Sequence, residues 1–246
     1  MRVIAEPSNS KSAAIMNIKF IYFDLDDTLL DHTKAQSKTL KEVYNTFQFE
    51  TYTTLADFKH YYHHINKKLW IQYGQHEISK EQLKRNRFEQ TLKKCGISAD
   101  WEEVSTYYMQ QYEHNWQWIP GAQDLVTYLT QKRPTGFLTN GFRYVQKKKF
   151  STFKLSTYSD VFIISEEIGI MKPQPGIFEH ATQMAGYNTD EILYVGDSLI
   201  SDVNGGSQYG WNVVWHNYGK SSKTSDEAVF TYSDKKDLKK WLDNHL

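Results

Sequence analysis

The sequence predicts an α/β fold in which helices cover both faces of a parallel sheet and a block of helices is inserted after the first strand. Short apolar runs recur along the chain, and segments of helical length separate most of them. Residues 31–116 are nearly all helical in pattern. Because strands that alternate with helices form βαβ units, this order indicates a parallel sheet with one helical insertion.

The strands are predicted from continuous apolar runs, which are typical of strands buried on both faces. The first strand, Ile18–Asp24, ends in an acidic residue. The later predicted strands are Thr135–Thr139, Val161–Ser165, Ile192–Gly196 and Asn212–Trp215. Helical periodicity lies between them, for example over Gly121–Lys132 and Pro175–Ala185.

The chain divides into an extension and two predicted domains. Residues 16–30 and 117–246 are predicted to form the sheet domain, and residues 31–116 a helical domain. The linker signals lie around Asp31 and at Trp118–Gly121, where Pro and Gly interrupt the pattern. Residues 1–15 have no apolar segment as long as that of a signal peptide, so we expect a disordered extension there.

Composition excludes several classes of protein. The 29 basic and 29 acidic residues balance, which does not favour nucleic acid or an acidic membrane as partner. No apolar run reaches the ~18 residues that span a bilayer. The single cysteine, Cys95, excludes an internal disulfide and a cysteine-based zinc cluster, and it fits a reducing compartment. We therefore expect a cytoplasmic protein without a nucleic-acid or membrane partner.

Polar residues follow four of the predicted strands and are candidates for a site. Ligands of parallel sheets bind outside the carboxyl ends of the strands. Each polar group alone is explained by a turn or a helix cap, but all four in this order predict one site. The groups are Asp24 to Thr28, Thr139 to Gly141, Lys172 with Pro173, and Asp197 with Asp202.

These residue types fit the hydrolysis of a phosphate monoester, which needs a nucleophile, a proton donor and cations around the phosphoryl oxygens. Asp24 is predicted to be the nucleophile that forms an aspartyl-phosphate. Asp26 is predicted to be the general acid and base. An ordinary aspartic acid is a poor proton carrier at pH 7, so this role requires surroundings that raise the pKa of Asp26.

The acidic residues also predict a magnesium site. The carboxylates of Asp24 and Asp197 and the backbone carbonyl of Asp26 are hard oxygen ligands of the kind that Mg²⁺ prefers. Asp202 is expected behind them, either on a metal-bound water or in an ion pair with Lys172. Mg²⁺ is therefore the expected cofactor.

Thr139, Asn140 and Lys172 are the candidates for binding the phosphoryl group. A hydroxyl and an amide can donate hydrogen bonds to its oxygens, and the ammonium adds positive charge. Thr139 and Lys172 thereby become catalytic candidates as well. Two basic runs, Lys147–Lys149 and Lys235–Lys240, are interpreted instead as solvated helix surface.

The four polar groups lie in segments that resemble the signature motifs of the haloacid-dehalogenase superfamily. The segments are DLDDT from Asp24, FLTNG ending at Gly141, GIMKPQPGIF around Lys172, and YVGDSLISDVNGG from Tyr194. The resemblance implies a Rossmann-like core, a type I helical cap formed by the insertion, and magnesium-dependent phosphatase activity.

Two stretches are similar to the pyrimidine 5′-nucleotidase branch of that superfamily, namely Ile65–Gln90 and Ile164–Pro173. This similarity implies a nucleotide, a pyrimidine nucleoside 5′-monophosphate, as the small-molecule substrate. The flat or amide-bearing side chains of Asn66, Trp70 and Tyr73 are possible substrate contacts in the cap, although packing within the cap is the better explanation for any one of them alone.

Other functions stay open at this point. A broad-specificity phosphatase of small metabolites and a sugar phosphomutase have the same four motifs. A non-catalytic phosphate-binding regulator is expected to have lost Asp24 or Asp26, and both are present. Dehalogenases of this superfamily lack an acid two residues after the nucleophile, so Asp26 argues against dehalogenation.

Overall fold

The sheet has six strands in the order β3-β2-β1-β4-β5-β6, and every pair is parallel. The computed structural model describes residues 16–217 and 225–246, so the expectation for residues 1–15 lies outside the described residues. The predicted α/β class is confirmed, β2 and β4 have their predicted bounds, and β6 was not predicted. The strands are β1 (Phe20–Phe23), β2 (Thr135–Thr139), β3 (Phe162–Ile164), β4 (Ile192–Gly196), β5 (Asn212–His216) and β6 (Phe230–Tyr232).

Strand β1 occupies the point where the strand order reverses. It pairs with β2 on one side and β4 on the other, and Phe23 lies opposite both Phe137 and Val195. The carboxyl ends of these three strands therefore meet at one edge of the sheet, and Asp24 follows β1 directly. In open α/β sheets this switch point is where ligands bind.

Four long helices lie between β1 and β2. Each begins after a residue whose side chain accepts a hydrogen bond from a backbone N–H of the first turn, which stabilises the helix start. The capping residues are Asp31, Thr54, Ser79 and Asp100. The helices are α1 (His32–Thr46), α2 (Leu55–Gly74), α3 (Lys80–Lys94) and α4 (Trp101–His114).

The remaining helices connect the strands of the sheet and close the chain. They are α5 (Ala122–Thr130), α6 (Arg143–Thr152), α7 (Ser165–Ile168), α8 (Pro175–Ala185), α9 (Gly205–Tyr209) and α10 (Lys235–His245). A π-helical turn, Leu199–Asn204, precedes α9, and shorter 3₁₀ turns cover Phe49–Thr51, Leu155–Thr157 and Thr189–Glu191. None of the helices in the described part of the chain combines the length and apolar character needed to cross a membrane.

The buried side chains form three clusters. Successive residues of a strand point to opposite faces, so Phe23 joins the cluster on one face of the sheet and Tyr22 the cluster on the other. The third cluster belongs to α1–α4 and is rich in aromatic residues. Phe142 and Val145, at the start of α6, belong to this third cluster and bring the inserted helices against the edge of the sheet.

The two ends of the insertion run side by side. The backbone N–H of Asp31 donates to the carbonyl of Gln117 at 3.0 Å, and that of Ile119 donates to the carbonyl of Leu29 at 2.8 Å. Leu30 and Trp118 form an antiparallel bridge between these bonds. The chain therefore leaves the sheet and returns to it through one short backbone ladder.

Candidate active site

Lys172 lies at the centre of a buried polar cluster at the carboxyl edge of the sheet. Its ammonium lies 2.7 Å from Oδ1 of Asp24 and 2.7 Å from Oδ1 of Asp202. It also donates to the hydroxyl of Tyr194 at 2.5 Å and to the carbonyl of Leu138 at 3.1 Å. Burial lowers the pKa of Lys172, but Asp202 and Asp24 outweigh that effect and hold the pKa above its ordinary value.

Three carboxylates converge beside this lysine. One oxygen each of Asp24, Asp197 and Asp202 lies within 4.8 Å of the others. Burial raises the pKa of Asp24 to about 7 against the opposing effect of Lys172. Burial, with Asp202 and Asp24 nearby, raises the pKa of Asp197 well above its ordinary value. Because three acids face one ammonium, a bound cation would relieve their mutual repulsion.

The three acids differ in how many of their carboxylate oxygens already accept hydrogen bonds from the protein. Asp202 accepts from Lys172 on one oxygen and from the backbone N–H of Ser198, at 2.9 Å, on the other. Asp197 accepts from Thr28 Oγ1 at 3.2 Å. The ion pair that the sequence analysis allowed between Asp202 and Lys172 is present, and Asp24 and Asp197 are the better available oxygen ligands. Carboxylates of this kind fit Mg²⁺.

Two side chains of helix α6 hold the carboxylate of Asp26. Its Oδ1 lies 2.5 Å from the ammonium of Lys149, and its Oδ2 accepts from Nε2 of Gln146 at 2.9 Å. Burial raises the pKa of Asp26, but Lys149, His32 and Gln146 outweigh it, so the pKa lies below its ordinary value. The surroundings in this structure therefore lower the pKa of Asp26 and do not raise it. Asp26 is held as a carboxylate, the form that accepts a proton.

Lys149 was wrongly assigned to solvated surface. Its side chain is 1% exposed, and its ammonium also donates to the hydroxyl of Tyr112 at 3.2 Å. Its neighbours Lys147 and Lys148 do lie at the surface, where they pair with glutamates. Lys149 lies three residues after Gln146 and therefore on the same helix face, and both side chains contact Asp26.

Thr139 and Asn140 lie at the end of β2, next to Lys172. The hydroxyl of Thr139 is buried and has no hydrogen-bond partner among the described residues. The side chain of Asn140 donates to the carbonyl of Lys172 at 2.8 Å and accepts from its backbone N–H at 2.9 Å. The amide of Asn140 thus positions Lys172, a role that the motif alone does not indicate.

A cavity of about 170 Å³ lies between Asp26 and the inserted helices. Two of the predicted cap contacts, Asn66 and Trp70, line it. The third, Tyr73, does not line it and packs against Phe142, with ring centroids 6.0 Å apart. The cavity therefore has walls from both the sheet domain and the insertion.

Several cavity residues were not predicted. Arg87 of α3, His32 and Gln36 of α1, and Tyr108 of α4 line the cavity. His32 Nδ1 forms a hydrogen bond with the hydroxyl of Tyr112 at 2.6 Å, which connects α1 to the partners of Lys149. Nothing in the local sequence distinguishes Arg87 from the exposed basic residues around it, because its burial depends on how α3 packs against α4.

Comparisons with known proteins agree with the fold and with the site described above. Residues 21–216 match the model of the haloacid dehalogenase-like hydrolase family. The chain is 29% identical over 234 residues to the pyrimidine 5′-nucleotidase PynA of Streptococcus pneumoniae, covering 94% of this chain and 98% of that protein. It is 29% identical over 235 residues to the pyrimidine 5′-nucleotidase YjjG of Escherichia coli, covering 94% of this chain and 100% of that protein.

Among solved structures, the chain resembles the magnesium-bound HAD-hydrolase YfnB of Bacillus subtilis. The TM-score is 0.80 with 26% sequence identity, and the match covers 92% of this chain and 99% of that chain. The likeness extends over the inserted helices as well as the sheet, since so little of either chain is left unmatched.

Proposed function

Because the chain belongs to the haloacid dehalogenase-like hydrolase family, we propose that it is a magnesium-dependent phosphatase of pyrimidine nucleoside 5′-monophosphates. The observation that carries the proposal is the cluster of Asp24, Asp197, Asp202 and Lys172 at the switch point of the sheet. A nucleophile, two further acids and one cation at that point are the groups that phosphoryl transfer requires.

Asp24 and Asp26 have different roles in the proposed reaction. A carboxylate oxygen of Asp24 attacks phosphorus, and the bond between phosphorus and the ester oxygen breaks. Asp26 is a carboxylate in the free protein, so it first takes up the proton that a phosphate monoanion carries, and it then gives that proton to the leaving oxygen. It then takes a proton from the water that attacks the aspartyl-phosphate, which releases inorganic phosphate and restores Asp24. The hydroxyl of Thr139, which has no partner among the described residues, would donate to a phosphoryl oxygen, and the ammonium of Lys172, whose backbone Asn140 holds, would add positive charge nearby.

The donor set supports Mg²⁺ as the cofactor. Asp24, Asp197 and the backbone carbonyl of Asp26 would hold it, and bound Mg²⁺ would offset negative charge on the phosphoryl oxygens. Oxygen ligands alone, with no histidine or cysteine in the described acidic cluster, favour a hard cation over zinc. The solved structure of YfnB, which is bound to magnesium, supports the same choice.

The lining of the cavity supports a substrate that carries an aromatic ring. The aromatic walls formed by Trp70, Tyr108 and Phe142 suit a flat ring. The two relatives named pyrimidine 5′-nucleotidases agree with this reading.

A panel of substrates tests the proposal. Phosphate release with Mg²⁺ is measured as kcat/KM for UMP, dTMP, AMP, glucose 6-phosphate and β-glucose 1-phosphate. We expect UMP or dTMP to exceed both AMP and the sugar phosphates by at least about tenfold, or ~1.4 kcal/mol of transition-state stabilisation.

Each alternative function gives its own result in this panel. Similar values for all five substrates indicate a broad-specificity phosphatase. Interconversion of the two glucose phosphates without net release indicates a phosphomutase. Binding of phosphate without turnover of any substrate indicates a non-catalytic regulator.

A further inference from the structure

Tyr112 of helix α4 contacts the lysine that holds Asp26. The ammonium of Lys149 donates to the hydroxyl of Tyr112 at 3.2 Å and lies 2.5 Å from Oδ1 of Asp26. An ammonium group can only donate, so the oxygen of Tyr112 is the acceptor in this pair. Lys149 is 1% exposed and Tyr112 is 5% exposed. The hydroxyl is therefore a second polar partner of Lys149 inside the protein.

The hydroxyl of Tyr112 has an acceptor of its own. It lies 2.6 Å from Nδ1 of His32, in α1. Because the oxygen already accepts from Lys149, the single hydrogen of the hydroxyl is left to donate to that ring nitrogen. The hydrogen bonds then run in one direction, from Lys149 through Tyr112 to His32, and bonds in such a chain polarise one another. His32 thus orients the hydroxyl so that its oxygen faces Lys149.

Helix α4 is fixed against α6 at this point. Glu113, next to Tyr112, forms an ion pair with Lys148, next to Lys149. The ring of Tyr112 also stacks on that of Tyr108, with centroids 5.7 Å apart and planes at 9°. These contacts set the position of the hydroxyl independently of its own hydrogen bonds. The inserted helices therefore present a fixed polar group to a lysine of the sheet domain.

We propose that Tyr112 is a positioning residue that acts on the general acid through Lys149. Its hydroxyl fixes the direction of the ammonium, and the ammonium fixes Oδ1 of Asp26. Without the hydroxyl, Asp26 is the one polar side-chain partner left to Lys149 in the described part of the chain, so both side chains gain freedom to turn. This inference rests on the proposed function in taking Asp26 as the general acid, but it does not depend on the base of the substrate.

The test removes one oxygen atom. Tyr112→Phe keeps the ring, and with it the stacking on Tyr108 and the ring face that lies 5.4 Å from the ammonium of Lys149. Phosphate release with Mg²⁺ is measured as kcat/KM for UMP and for p-nitrophenyl phosphate. The ratio of the two values does not depend on the fraction of folded enzyme, so partial unfolding of a variant does not obscure it.

Tyr112→Phe should lower this ratio. The alkoxide of UMP needs a proton as it leaves, whereas nitrophenolate needs little help. We expect kcat/KM to fall at least about fivefold on UMP, or ~1 kcal/mol, and less than about twofold on p-nitrophenyl phosphate.

The matched control is Tyr107→Phe. Tyr107 lies on the same helix, and its hydroxyl also bonds to α1, at 2.8 Å from Oγ1 of Thr46. The control removes a hydrogen bond between the same two helices that does not involve Lys149. The ratio of the two substrates should stay at the wild-type value.

A double variant tests the route through Lys149. If Tyr112 acts through that lysine, Tyr112→Phe should change the ratio no further when Lys149→Met is already present, because the residue it orients is gone. Independent, additive losses in the double variant would show that Tyr112 acts by another route and would overturn the proposal.

The two proposals fail in different ways. If UMP is not hydrolysed and glucose 6-phosphate is, the nucleotidase function is overturned, and the sugar phosphate replaces UMP as the alkyl ester in the same comparison. If Asp26→Asn lowers kcat/KM equally on the alkyl and aryl esters, Asp26 is not the general acid and this inference is overturned. Absence of turnover on every alkyl phosphate would overturn both.

Two results with Tyr112→Phe would overturn this inference alone. One is a ratio within about twofold of the wild type while Asp26→Asn does depend on the leaving group. The other is an equal loss on both substrates, which indicates a structural role for the hydroxyl.

Discussion

The ammonium of Lys149 lies 2.5 Å from Oδ1 of Asp26, and the lysine is 1% exposed. The two residues come from different elements, since Asp26 follows β1 and Lys149 lies on α6. Gln146 on the same helix holds the second oxygen of Asp26. The proposed general acid is therefore oriented from the helix that follows β2, and that orientation can be tested.

Lys149→Met should reduce turnover most for substrates with poor leaving groups. A nucleoside 5′-alkoxide needs a proton as it departs, whereas a nitrophenolate needs little help, and general acid catalysis contributes about 10²–10⁴-fold. We expect at least about a tenfold loss on UMP and a smaller loss on p-nitrophenyl phosphate. Asp26→Asn should show the same pattern more strongly. Lys147→Met, at the surface, is the control, and equal losses on both substrates would argue against the positioning role.

Asp24→Asn should abolish phosphate release. An amide cannot form the acyl phosphate, and removing a nucleophile lowers kcat by several orders of magnitude, roughly 10³-fold or more. The measurement is single-turnover phosphate release, with the melting temperature in chelator as a check on folding. Turnover retained by a folded Asp24→Asn protein would falsify the covalent mechanism.

Chelation should remove activity, and Mg²⁺ should restore it. Ca²⁺ should restore it poorly, because it prefers longer bonds and more ligands and so displaces the nucleophile from phosphorus. Steady-state rates in EDTA, then with each ion added in excess, provide the measurement. Undiminished rates in EDTA would eliminate the metal site from the mechanism.

Gly141→Ala should lower kcat because the added Cβ displaces the side chain of Gln146. A Cβ at position 141 would lie 2.9 Å from Cδ of Gln146, so that side chain must move and release Asp26. Because the end of the glutamine is flexible, the protein should still fold. We expect kcat on UMP to fall roughly tenfold with a small change in melting temperature. A kcat equal to that of the wild type would show that Gln146 does not need this position.

Lys235 should make stability depend on pH. Burial lowers its pKa to about 8 despite the nearby Asp234, and it lies in the first turn of α10, where positive charge is unfavourable. The unfolded chain, with a pKa of about 10.4, therefore binds more protons between pH 8 and that value. Stability should rise with pH across this window, since the linkage slope is positive when the unfolded state is more protonated.

Lys235→Met should accordingly be more stable than the wild type at pH 7, by on the order of 2 kcal/mol, since partial exposure screens the full effect of the pKa shift. The difference should shrink towards zero as the pH approaches about 10. Urea unfolding at several pH values measures it. Lys236→Met, next in sequence and exposed, is the control, and a difference that stays constant with pH would refute the assignment.

The sequence predicted the sheet and the acidic residues at its edge because both depend on local pattern. The apolar runs predicted the observed bounds of β2 and β4. The acidic residues that follow β1 and β4 lie close together because these two strands pair in the sheet. Lys149 and Arg87 escaped prediction because burial of a basic side chain depends on which helix face meets a neighbour. Strand β6 has only three residues, and the apolar run that begins at Ala228 is broken at Thr231, so it was too short to be recognised.

The bridge between Leu30 and Trp118 has a consequence for folding kinetics. Strands β1 and β2 pair in the sheet although α1–α4 separate them in the chain. The entropy lost in closing such a loop grows with the number of unstructured residues inside it. If α1–α4 first collapse onto their own cluster, their ends already lie side by side, and the sheet then closes a far shorter effective loop. We therefore expect the inserted helices to form before β1 and β2 pair.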